Sequence, residues 1–365
     1  MLKNFYQLEG RQKVFKLLVI NPGSTSTKVS YFEDEKEIYR EKIEHSIEEL
    51  KNFKRVFDQY EFRKLRVLDF LKRHSINEKE LSCIVGRGGI SKPISAGTYI
   101  ISEKMIEDLR NSPIEHASNL GPVIAYEIAK SLGIPAYTVD PITVDEFQDI
   151  ARITGLKEIN RRSRFHALNT RYVAKKRAEM FGKKIEDFNF IVVHLGGGLS
   201  IAPFEKGKAI DVNDSATSGA FSPERSGSLP SIDIVEMSYS GKYKIEEIKK
   251  RLMGEGGIIS YLGINDLKEV ERRIDNGDDY AKFIFEAMAY QISKDIVASA
   301  VVLKGKVDEI IFTGGMSNSK RLIDLISDRV SFISKFFLFP GEMEQEALCF
   351  GALSVLKGEE EAKIY

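Results

Sequence analysis

The chain has 365 residues, and its 54 lysines and arginines balance 54 aspartates and glutamates, so its formal net charge at pH 7 is zero. Apolar residues make up 42% and charged residues 30% of the chain, a balance that excludes a disordered protein and a membrane-embedded one. The zero net charge disfavours long-range attraction to nucleic acid or anionic lipid, so we expect neither as a partner. The length predicts about two domains of roughly 100–200 residues each.

The cysteine content and the N-terminal sequence indicate in which cellular compartment the protein is expected. Two cysteines, Cys83 and Cys349, are too few for a disulfide framework. The apolar run at residues 17–20 is too short for a membrane span or for the core of a signal peptide. We therefore expect a cytoplasmic protein.

Apolar runs alternate with loops of small residues along the whole chain. Residues 14–20 predict a buried strand that ends at Asn21-Pro22-Gly23, and residues 28–32 predict a second strand. The further predicted elements are a strand at 83–85, a helix at 118–132, a strand at 136–139, a helix at 164–181, strands at 190–193 and 199–204, a helix at 280–303, a strand at 309–312, and helices at 319–330 and 347–357. This order predicts an α/β protein with mixed rather than purely parallel sheets.

The opening pattern of strand, Gly/Ser loop and strand returns at residues 190–204. The repeat predicts two halves of related architecture. We place the boundary near residue 165, where a cluster of arginines precedes the mid-chain repeat. The N-terminal domain then comprises residues 1–165, completed by a C-terminal helical segment at 347–365, and the second domain comprises residues 166–346.

Small-residue loops directly follow apolar strands at residues 21–28, 194–200 and 313–318. Such loops expose backbone N–H groups, which can bind phosphate oxygens. The sequence contains no P-loop, no G-x-G-x-x-G, no G-x-S-x-G, no H-E-x-x-H and no zinc-ligand spacing. Three loops in the same context favour nucleotide binding. The candidate nucleotide-binding residues are Asn21, Gly23, Ser24, Ser26, Lys28, His194, Gly196, Gly197, Gly198, Gly314, Gly315 and Asn318.

Phosphoryl transfer needs cationic groups around an in-line transition state and acidic groups for magnesium. Arg87 and Arg225 each lie among glycines or serines, and His166 could donate to a transferring phosphoryl group. Asp140 follows a predicted strand and could hold magnesium or orient a nucleophile. Taken singly, each of these residues also has a purely structural interpretation, as a surface arginine, a packed histidine or a turn-forming aspartate.

In this order, the motifs resemble the acetate and butyrate kinase family of the actin-like and sugar-kinase-like ATPase superfamily, over nearly the whole chain. The segments that carry the resemblance are Asn21-Pro22-Gly23-Ser24-Thr25-Ser26-Thr27-Lys28, Val85-Gly86-Arg87-Gly88-Gly89, His116-Ala117-Ser118-Asn119, Val139-Asp140, Arg164-Phe165-His166, His194-Leu195-Gly196-Gly197-Gly198, Arg225-Ser226-Gly227 and Phe312-Thr313-Gly314-Gly315.

The resemblance implies two ribonuclease H-like domains of the actin-like ATPase fold, with a cleft between them. It implies reversible, in-line transfer of a phosphoryl group from ATP to a short-chain carboxylate, giving ADP and an acyl phosphate, with Mg²⁺ as cofactor. It further implies a homo-oligomer.

The resemblance also assigns roles to residues of this chain. Arg87 would bind the carboxylate and then the transferring group, with Gly88, Gly89 and His116 at the substrate. The assigned catalytic partners are Arg225 and His166 at the equatorial oxygens and Asp140, which would position magnesium or an arginine. The assigned metal ligands are Asn21 and either Glu342 or Glu344.

Departures from the acetate kinase pattern bear on the substrate. Gly88 and Gly89 stand where acetate kinases carry bulky residues, which predicts a wider acyl pocket and favours butyrate or a branched short-chain acid. Gly197 stands where acetate kinases carry asparagine, and Asp145 competes with Asp140 for the role of the essential aspartate.

Two alternatives stay open from the residues alone. A sugar or other alcohol kinase of the same superfamily would need an aspartate base to take a hydroxyl proton, whereas a carboxylate kinase needs a cationic acceptor site such as Arg87. A non-metabolic ATPase of the actin type would use the nucleotide to drive assembly.

Overall fold

The computed structural model of the chain describes residues 14–365. Within that part of the chain, one compact unit contains the residues up to Lys92 together with Gly97–Pro141 and Gln345–Tyr365. The other contains Pro93–Ala96 and Ile142–Glu344.

Strands and helices alternate through both units. The strands are β1 (Lys16–Pro22), β2 (Ser26–Glu33), β3 (Lys36–Glu44), β4 (Cys83–Gly86), β5 (Thr98–Ile100), β6 (Ala136–Val139), β7 (Asn189–Leu195), β8 (Leu199–Glu205), β9 (Lys208–Ala209), β10 (Asn213–Asp214), β11 (Glu309–Gly314), β12 (Phe336–Pro340) and β13 (Lys363–Ile364). The helices are α1 (Ile47–Leu50), α2 (Tyr60–Arg73), α3 (Glu103–Arg110), α4 (Leu120–Leu132), α5 (Ala167–Glu179), α6 (Ser231–Tyr239), α7 (Ile245–Leu252), α8 (Ile258–Leu262), α9 (Leu267–Asp275), α10 (Asp279–Val302), α11 (Lys320–Val330) and α12 (Glu344–Leu356).

The first unit is built on a seven-stranded sheet with the order β13-β5-β6-β4-β1-β2-β3. Strand β1 pairs antiparallel with β2 and parallel with β4, and β4 pairs parallel with β6. Residues of β1 from Leu17 to Ile20 are fully buried, and helices α2 and α4 pack against this sheet. The central strands are apolar on both faces because each face is covered, as in other buried parallel strands.

The second unit is built on a six-stranded sheet whose main path is β10-β8-β7-β11-β12. Strand β7 pairs antiparallel with β8 and parallel with β11, which pairs parallel with β12. Alternate residues of β7 enter different cores: Ile191 and Val193 pack in the cluster around α10, whereas Phe190 and Val192 pack in the cluster around α5. Helices therefore cover both faces, as the alternation of side chains along a strand requires.

The two sheets repeat one plan, which confirms the predicted duplication and the mixed sheets. Each begins with an antiparallel hairpin, β1–β2 or β7–β8, whose first strand then pairs parallel with a later strand, β4 or β11. A glycine- or serine-containing loop closes each hairpin. The repeated format in the sequence thus corresponds to a repeated arrangement of strands.

The boundary between the two units lies earlier in the chain than the one we proposed. We placed the boundary at residue 165, but Ile142 onward groups with the second unit. Phe147 and Ala151 lie in the same apolar core as Phe190 and Val212, and a guanidinium N–H of Arg161 donates to the Val212 carbonyl oxygen. These apolar and backbone contacts explain why residues 142–164 lie with the second sheet. Between residues 14 and 365, no helix is both long and apolar enough to cross a membrane.

Candidate active site

The first small-residue loop is the turn of the β1–β2 hairpin. Asn21 lies opposite Lys28 in the register, so only residues 23–25 stand outside the strands. The Gly23 N–H donates to the Ser26 carbonyl oxygen at 2.8 Å. Asn21 and Ser26 are buried, whereas Ser24 is exposed. The loop is therefore a short, hydrogen-bonded turn rather than the longer segment that we predicted.

A buried arginine that we did not predict holds this turn. Arg63 of α2 has no exposed surface, and its guanidinium donates to the carbonyl oxygens of Gly23 at 2.7 Å, Ser24 at 3.0 Å and Ser26 at 3.0 Å. It also donates to the side-chain oxygen of Gln59 at 2.8 Å. Its Nη1 also donates to Thr27 Oγ1 at 3.3 Å, so the cation is solvated by neutral peptide, amide and hydroxyl oxygens.

Burial lowers the pKa of Arg63 to about 10, which leaves it charged at neutral pH. The neighbouring His45 has its pKa lowered to about 4, first by burial and then by the charge of Arg63, so it is neutral. Position 63 continues the buried face of α2 formed by Val67, Phe70 and Leu71. A charged residue on an otherwise apolar helical face was the signal in the sequence that could have revealed it.

Arg87 follows the buried strand β4 and lies near Asn21. Its backbone N–H donates to the Ile20 carbonyl oxygen at 2.9 Å, and its Nη1 donates to Asn21 Oδ1 at 3.3 Å. A side chain at Gly86 would clash with the backbone of Gly121, since its Cβ would lie 2.2 Å from that carbonyl oxygen. Close packing against the start of α4 thus fixes the backbone that presents Arg87.

The two glycines after Arg87 do not widen a pocket in the way that we predicted. A Cβ at Gly88 would lie 2.4 Å from the Cβ of Pro141, and one at Gly89 would lie 2.2 Å from Asn119 Oδ1. The space that side chains would occupy is already filled by these neighbours. Asn119 also accepts a hydrogen bond from the Ile90 N–H at 2.7 Å. Tight packing therefore requires both glycines, and their small size is no evidence for a larger acyl group.

Asp140 and Asp145 have different surroundings. Asp140 is buried with a φ of 38°, and its Oδ1 accepts a hydrogen bond from the Gly97 N–H at 2.7 Å. A non-glycine residue with positive φ is strained, and such residues are concentrated at functional sites. Asp145 instead accepts two hydrogen bonds of 2.8 Å from Arg152, a bidentate pair within the second unit. Asp145 is already committed to a structural pair, which favours Asp140 as the functional aspartate.

His116 lies exposed at the beginning of the short helical turn that leads into α4. Its Nδ1 accepts a hydrogen bond from the Ser118 N–H at 3.2 Å, as an N-cap does.

Two histidines stack in the second unit. The rings of His166 and His194 have centroids 3.8 Å apart and planes inclined by 11°. His166 precedes α5, and its Nδ1 lies 3.0 Å from Ser200 Oγ of β8. His194 belongs to β7 and is buried. The fold thus brings together two predicted site residues that are 28 positions apart, judged by their residue numbers.

Asn169 joins the elements around this pair, and we did not predict it. This asparagine of α5 is buried, and its Nδ2 lies 3.0 Å from His194 Nδ1 and 3.0 Å from Thr313 Oγ1. Its Oδ1 accepts a hydrogen bond from the Met343 N–H at 3.0 Å. A polar residue among buried Ala167, Leu168 and Val173 was the available signal in the sequence.

The second glycine loop lies under Arg225. A Cβ at Gly198 would lie 2.5 Å from the guanidinium carbon of Arg225, so the arginine occupies the space that a side chain would need. Ser222 Oγ accepts a hydrogen bond from the Arg225 N–H at 3.1 Å and donates to the Gly197 carbonyl oxygen. Burial, together with the charge of Arg164, lowers the pKa of Arg225, and Asp214 opposes that change. The loop also contains Gly196, which lies against the His194 ring.

The third loop connects β11 to α11. Gly314 has a φ of 92°, and a Cβ there would lie 2.3 Å from the Leu195 carbonyl oxygen, so only glycine fits. Gly315 is exposed, and Asn318 Nδ2 donates to its carbonyl oxygen at 2.9 Å. Ser319 then caps α11.

The residues proposed for magnesium have suitable donor atoms. Asn21 offers an amide oxygen, Glu344 a buried carboxylate and Glu342 an exposed one. Between residues 14 and 365, no group of three or more His, Cys, Asp or Glu side chains is arranged to hold a metal. Protein-bound Mg²⁺ usually takes one or two carboxylates together with substrate phosphates. Each of these three side chains, taken singly, offers an oxygen donor of the kind that Mg²⁺ prefers.

Comparison with known proteins identifies close relatives. The pattern of the Acetokinase family matches residues 153–335. A probable butyrate kinase 2 of Caldanaerobacter subterraneus subsp. tengcongensis is 52% identical over 96% of this chain and 100% of its own length. Butyrate kinase 2 of Clostridium acetobutylicum is 50% identical over 96% of this chain and 99% of its own length. A crystal structure of acetate kinase from Porphyromonas gingivalis, 20% identical, superposes with a TM-score of 0.78 and covers 94% of this chain and 100% of that one.

Proposed function

Because this chain belongs to the acetokinase family and is a carboxylate phosphotransferase with an actin-like ATPase fold, we propose that it phosphorylates butyrate or a branched short-chain acid. The products are ADP and an acyl phosphate, and the reaction runs in either direction. The observation that carries the choice of butyrate is the identity of about half with two butyrate kinases over nearly the whole chain.

The chemistry needs little base catalysis. A carboxylate oxygen attacks the γ-phosphorus of ATP, a new P–O bond forms, and the bond to the bridging oxygen breaks so that ADP leaves with its electron pair. Because both reactants are anions, the protein must supply positive charge and hydrogen-bond donors. In our proposal Arg87, beside Asn21, binds the carboxylate and then the transferring group.

Arg225 and His166 stabilise the equatorial oxygens of the transferring group in this proposal. The position of Arg225 against Gly198 supports its role, since it places a guanidinium directly beside the glycine loop that we assign to phosphate. The stacked pair of His166 and His194 supports the second role, because it orders an imidazole next to the same loop.

Asp140 positions magnesium or an arginine, and Asn21 with Glu344 or Glu342 completes the environment of the ion. Bound Mg²⁺ would neutralise charge on the phosphate oxygens and orient them. The buried carboxylate of Glu344 makes it the better candidate of the two glutamates.

The support for a longer acyl chain is the similarity to butyrate kinases and not the presence of Gly88 and Gly89. We propose that the acyl group lies near Arg87 and His116, with discrimination graded by about 1–3 kcal/mol per methylene. We also propose a homo-oligomeric, cytoplasmic enzyme without nucleic-acid or membrane partners. Light scattering on the purified chain tests the oligomer.

The activity is tested by trapping acyl phosphate with hydroxylamine, using acetate, propionate, butyrate, isobutyrate and valerate, with glucose as a control. We expect the largest kcat/KM for butyrate or isobutyrate. Preference for acetate would retain the carboxylate kinase and reject the assigned substrate. Because a sugar phosphate forms no hydroxamate, the glucose control is followed by ADP release, and ADP release with glucose but with no carboxylate would reject the assigned function.

The residue roles are tested with Arg87→Ala and Arg225→Ala, for which we expect kcat to fall by orders of magnitude while ATP still binds. Arg66→Ala and Arg251→Ala are matched surface controls. Asp140→Asn should abolish turnover, whereas Asp145→Asn should act mainly on stability. Turnover retained in both arginine variants would remove this mechanism.

A further inference from the structure

One buried side chain joins four segments of the second unit without a role in the mechanism above. Asn169 contacts His194 of β7, Thr313 of β11 and the backbone of Met343, and it lies on α5 three residues after His166. Asn169, His194 and Thr313 are each at most 2% exposed. A buried amide with its polar atoms all engaged fixes the relative positions of the groups that it bonds.

The orientation of the Asn169 amide follows from its neighbours. The Met343 backbone N–H can only donate, so the atom that it approaches at 3.0 Å must be the oxygen Oδ1. This places Nδ2 on the side of Thr313, whose Oγ1 accepts from it at 3.0 Å. The Thr313 hydroxyl is then free to donate to the Gly341 carbonyl oxygen, 3.4 Å away, so the Thr313 contacts agree with the orientation that the Met343 N–H fixes.

This orientation settles where His194 carries its proton. Nδ2 is a donor only, so His194 Nδ1, at 3.0 Å, must accept from it. The proton of the neutral ring then lies on Nε2. The Nε2 atom faces the glycine loop, since a Cβ at Gly196 would lie 3.1 Å from it. His194 consequently presents an N–H donor to the loop that we assign to phosphate.

We propose that Asn169 is a positioning residue that holds His194 as its Nε2–H tautomer and fixes that ring against His166. The tautomer itself follows from the contacts above, whereas its effect on turnover rests on the proposed phosphoryl transfer. With the proton on Nε2, the ring donates to a phosphate oxygen. With the proton on Nδ1, a nitrogen lone pair would face that oxygen and repel it.

The informative variant is Asn169→Asp, which keeps the shape of the side chain but can only accept where asparagine donates. It should shift the His194 proton to Nδ1 or add a second proton to the ring. We expect kcat to fall on the order of 100-fold, the usual cost of one misplaced donor to a developing charge, with a smaller effect on the KM of the carboxylate. Thr170→Val, the next residue on α5 and also buried, is the matched control and should stay within about twofold, since its hydroxyl bonds only carbonyl oxygens of its own helix turn.

The spectroscopic test is long-range ¹⁵N–¹H NMR of histidine-labelled protein. The chain has five histidines, and His194→Gln assigns the signals of interest by their loss. We expect wild-type His194 to show a protonated Nε2 and an unprotonated Nδ1, and Asn169→Asp to lose that pattern. A wild-type His194 with its proton on Nδ1, or averaged between both nitrogens, would overturn the proposal even if Asn169→Asp fails to fold.

The kinetic and spectroscopic outcomes separate this inference from the proposed function. An Asn169→Asp variant with the wild-type tautomer and wild-type kcat would overturn the role of Asn169. A chain that makes no acyl phosphate but shows the Nε2–H tautomer, lost in Asn169→Asp, would refute the proposed function and leave the positioning role intact.

Discussion

Replacing Arg63 by methionine should strongly destabilise the first unit. Methionine is of similar length and apolar, so it fills most of the space, but it removes the guanidinium N–H groups that donate to the β1–β2 turn, while the backbone N–H groups of Gly23 and His45 still donate there. The carbonyl oxygens of Gly23, Ser24 and Ser26 each lose a charged partner, although Ser26 keeps its hydrogen bond from the Gly23 N–H.

The magnitude follows from two opposing quantities. Three hydrogen bonds from a charged donor contribute roughly 5–9 kcal/mol together, at about 1.5–3 kcal/mol each. Burying the charged guanidinium costs free energy, and the fall in the pKa of Arg63 from 12.5 to about 10 puts that cost at roughly 3 kcal/mol. Methionine carries no charge, so the variant avoids this cost. The net loss is about 2–6 kcal/mol, a large part of the ~5–15 kcal/mol by which most native proteins are stable.

Urea unfolding followed by far-UV circular dichroism measures this loss, since the chain contains no tryptophan for fluorescence. Arg66→Met is the matched control: it lies one turn further along α2 and forms a half-exposed ion pair with Glu49. Exposed pairs contribute about 0–1 kcal/mol, so the control should be nearly neutral. We also expect the KM for ATP to rise in Arg63→Met, because the turn loses the group that orders its backbone.

A loss in Arg63→Met no larger than in Arg66→Met would refute the reasoning. It would mean that water or a rearranged turn satisfies the three carbonyl oxygens at little cost. If Arg63→Met had normal stability but a raised KM for ATP, Arg63 would contribute to nucleotide binding and not to the stability of the fold.

Two further predictions concern packing and burial. Gly89→Ala should lower stability and kcat for every acid without changing the butyrate-to-acetate ratio of kcat/KM, because the new Cβ would meet Asn119 at 2.2 Å; a ratio shifted towards acetate would restore the pocket argument. Burial raises the pKa of Asp295 to about 6 although it accepts a hydrogen bond from the Ala220 N–H, so its contribution to stability is present below pH 3.8 and is lost as the pH rises through about 6. Asp295→Asn keeps the acceptor and should therefore gain up to roughly 3 kcal/mol at pH 7.5 but little at pH 4, as urea midpoints at both pH values would show; equal midpoints at pH 7.5 would contradict this.

Strands and helices with strong apolar patterns could be predicted from the sequence. The predicted helix at 280–303 corresponds to α10 (Asp279–Val302), and the predicted strands at 190–193 and 199–204 correspond to β7 and β8. These elements lie in the cores, where burial selects an uninterrupted or periodic run of apolar residues. Strand β3 was missed because most of its residues are exposed or half-buried at the sheet edge and its sequence is polar.

The small-residue loops that we propose to bind phosphate could be picked out from the sequence for a related reason. Glycine and serine after an apolar strand mark a place where the backbone must turn or approach another group, and Gly198 and Gly314 do both. The order of these loops along the chain was enough to indicate the acetate and butyrate kinase family, because each motif is local in the sequence.

The buried residues that hold these loops and histidines in place, Arg63 and Asn169, could be recognised only from the tertiary structure. Arg63 bonds a turn about 40 positions earlier, and Asn169 bonds Met343, 174 positions later. Local sequence carries no information on such distances, so a buried cation and a buried amide look like ordinary helix residues. The same limit explains the error over Gly88 and Gly89: the sequence by itself determined that glycine stands there, but only the fold decided that Pro141 and Asn119 fill the space beside it.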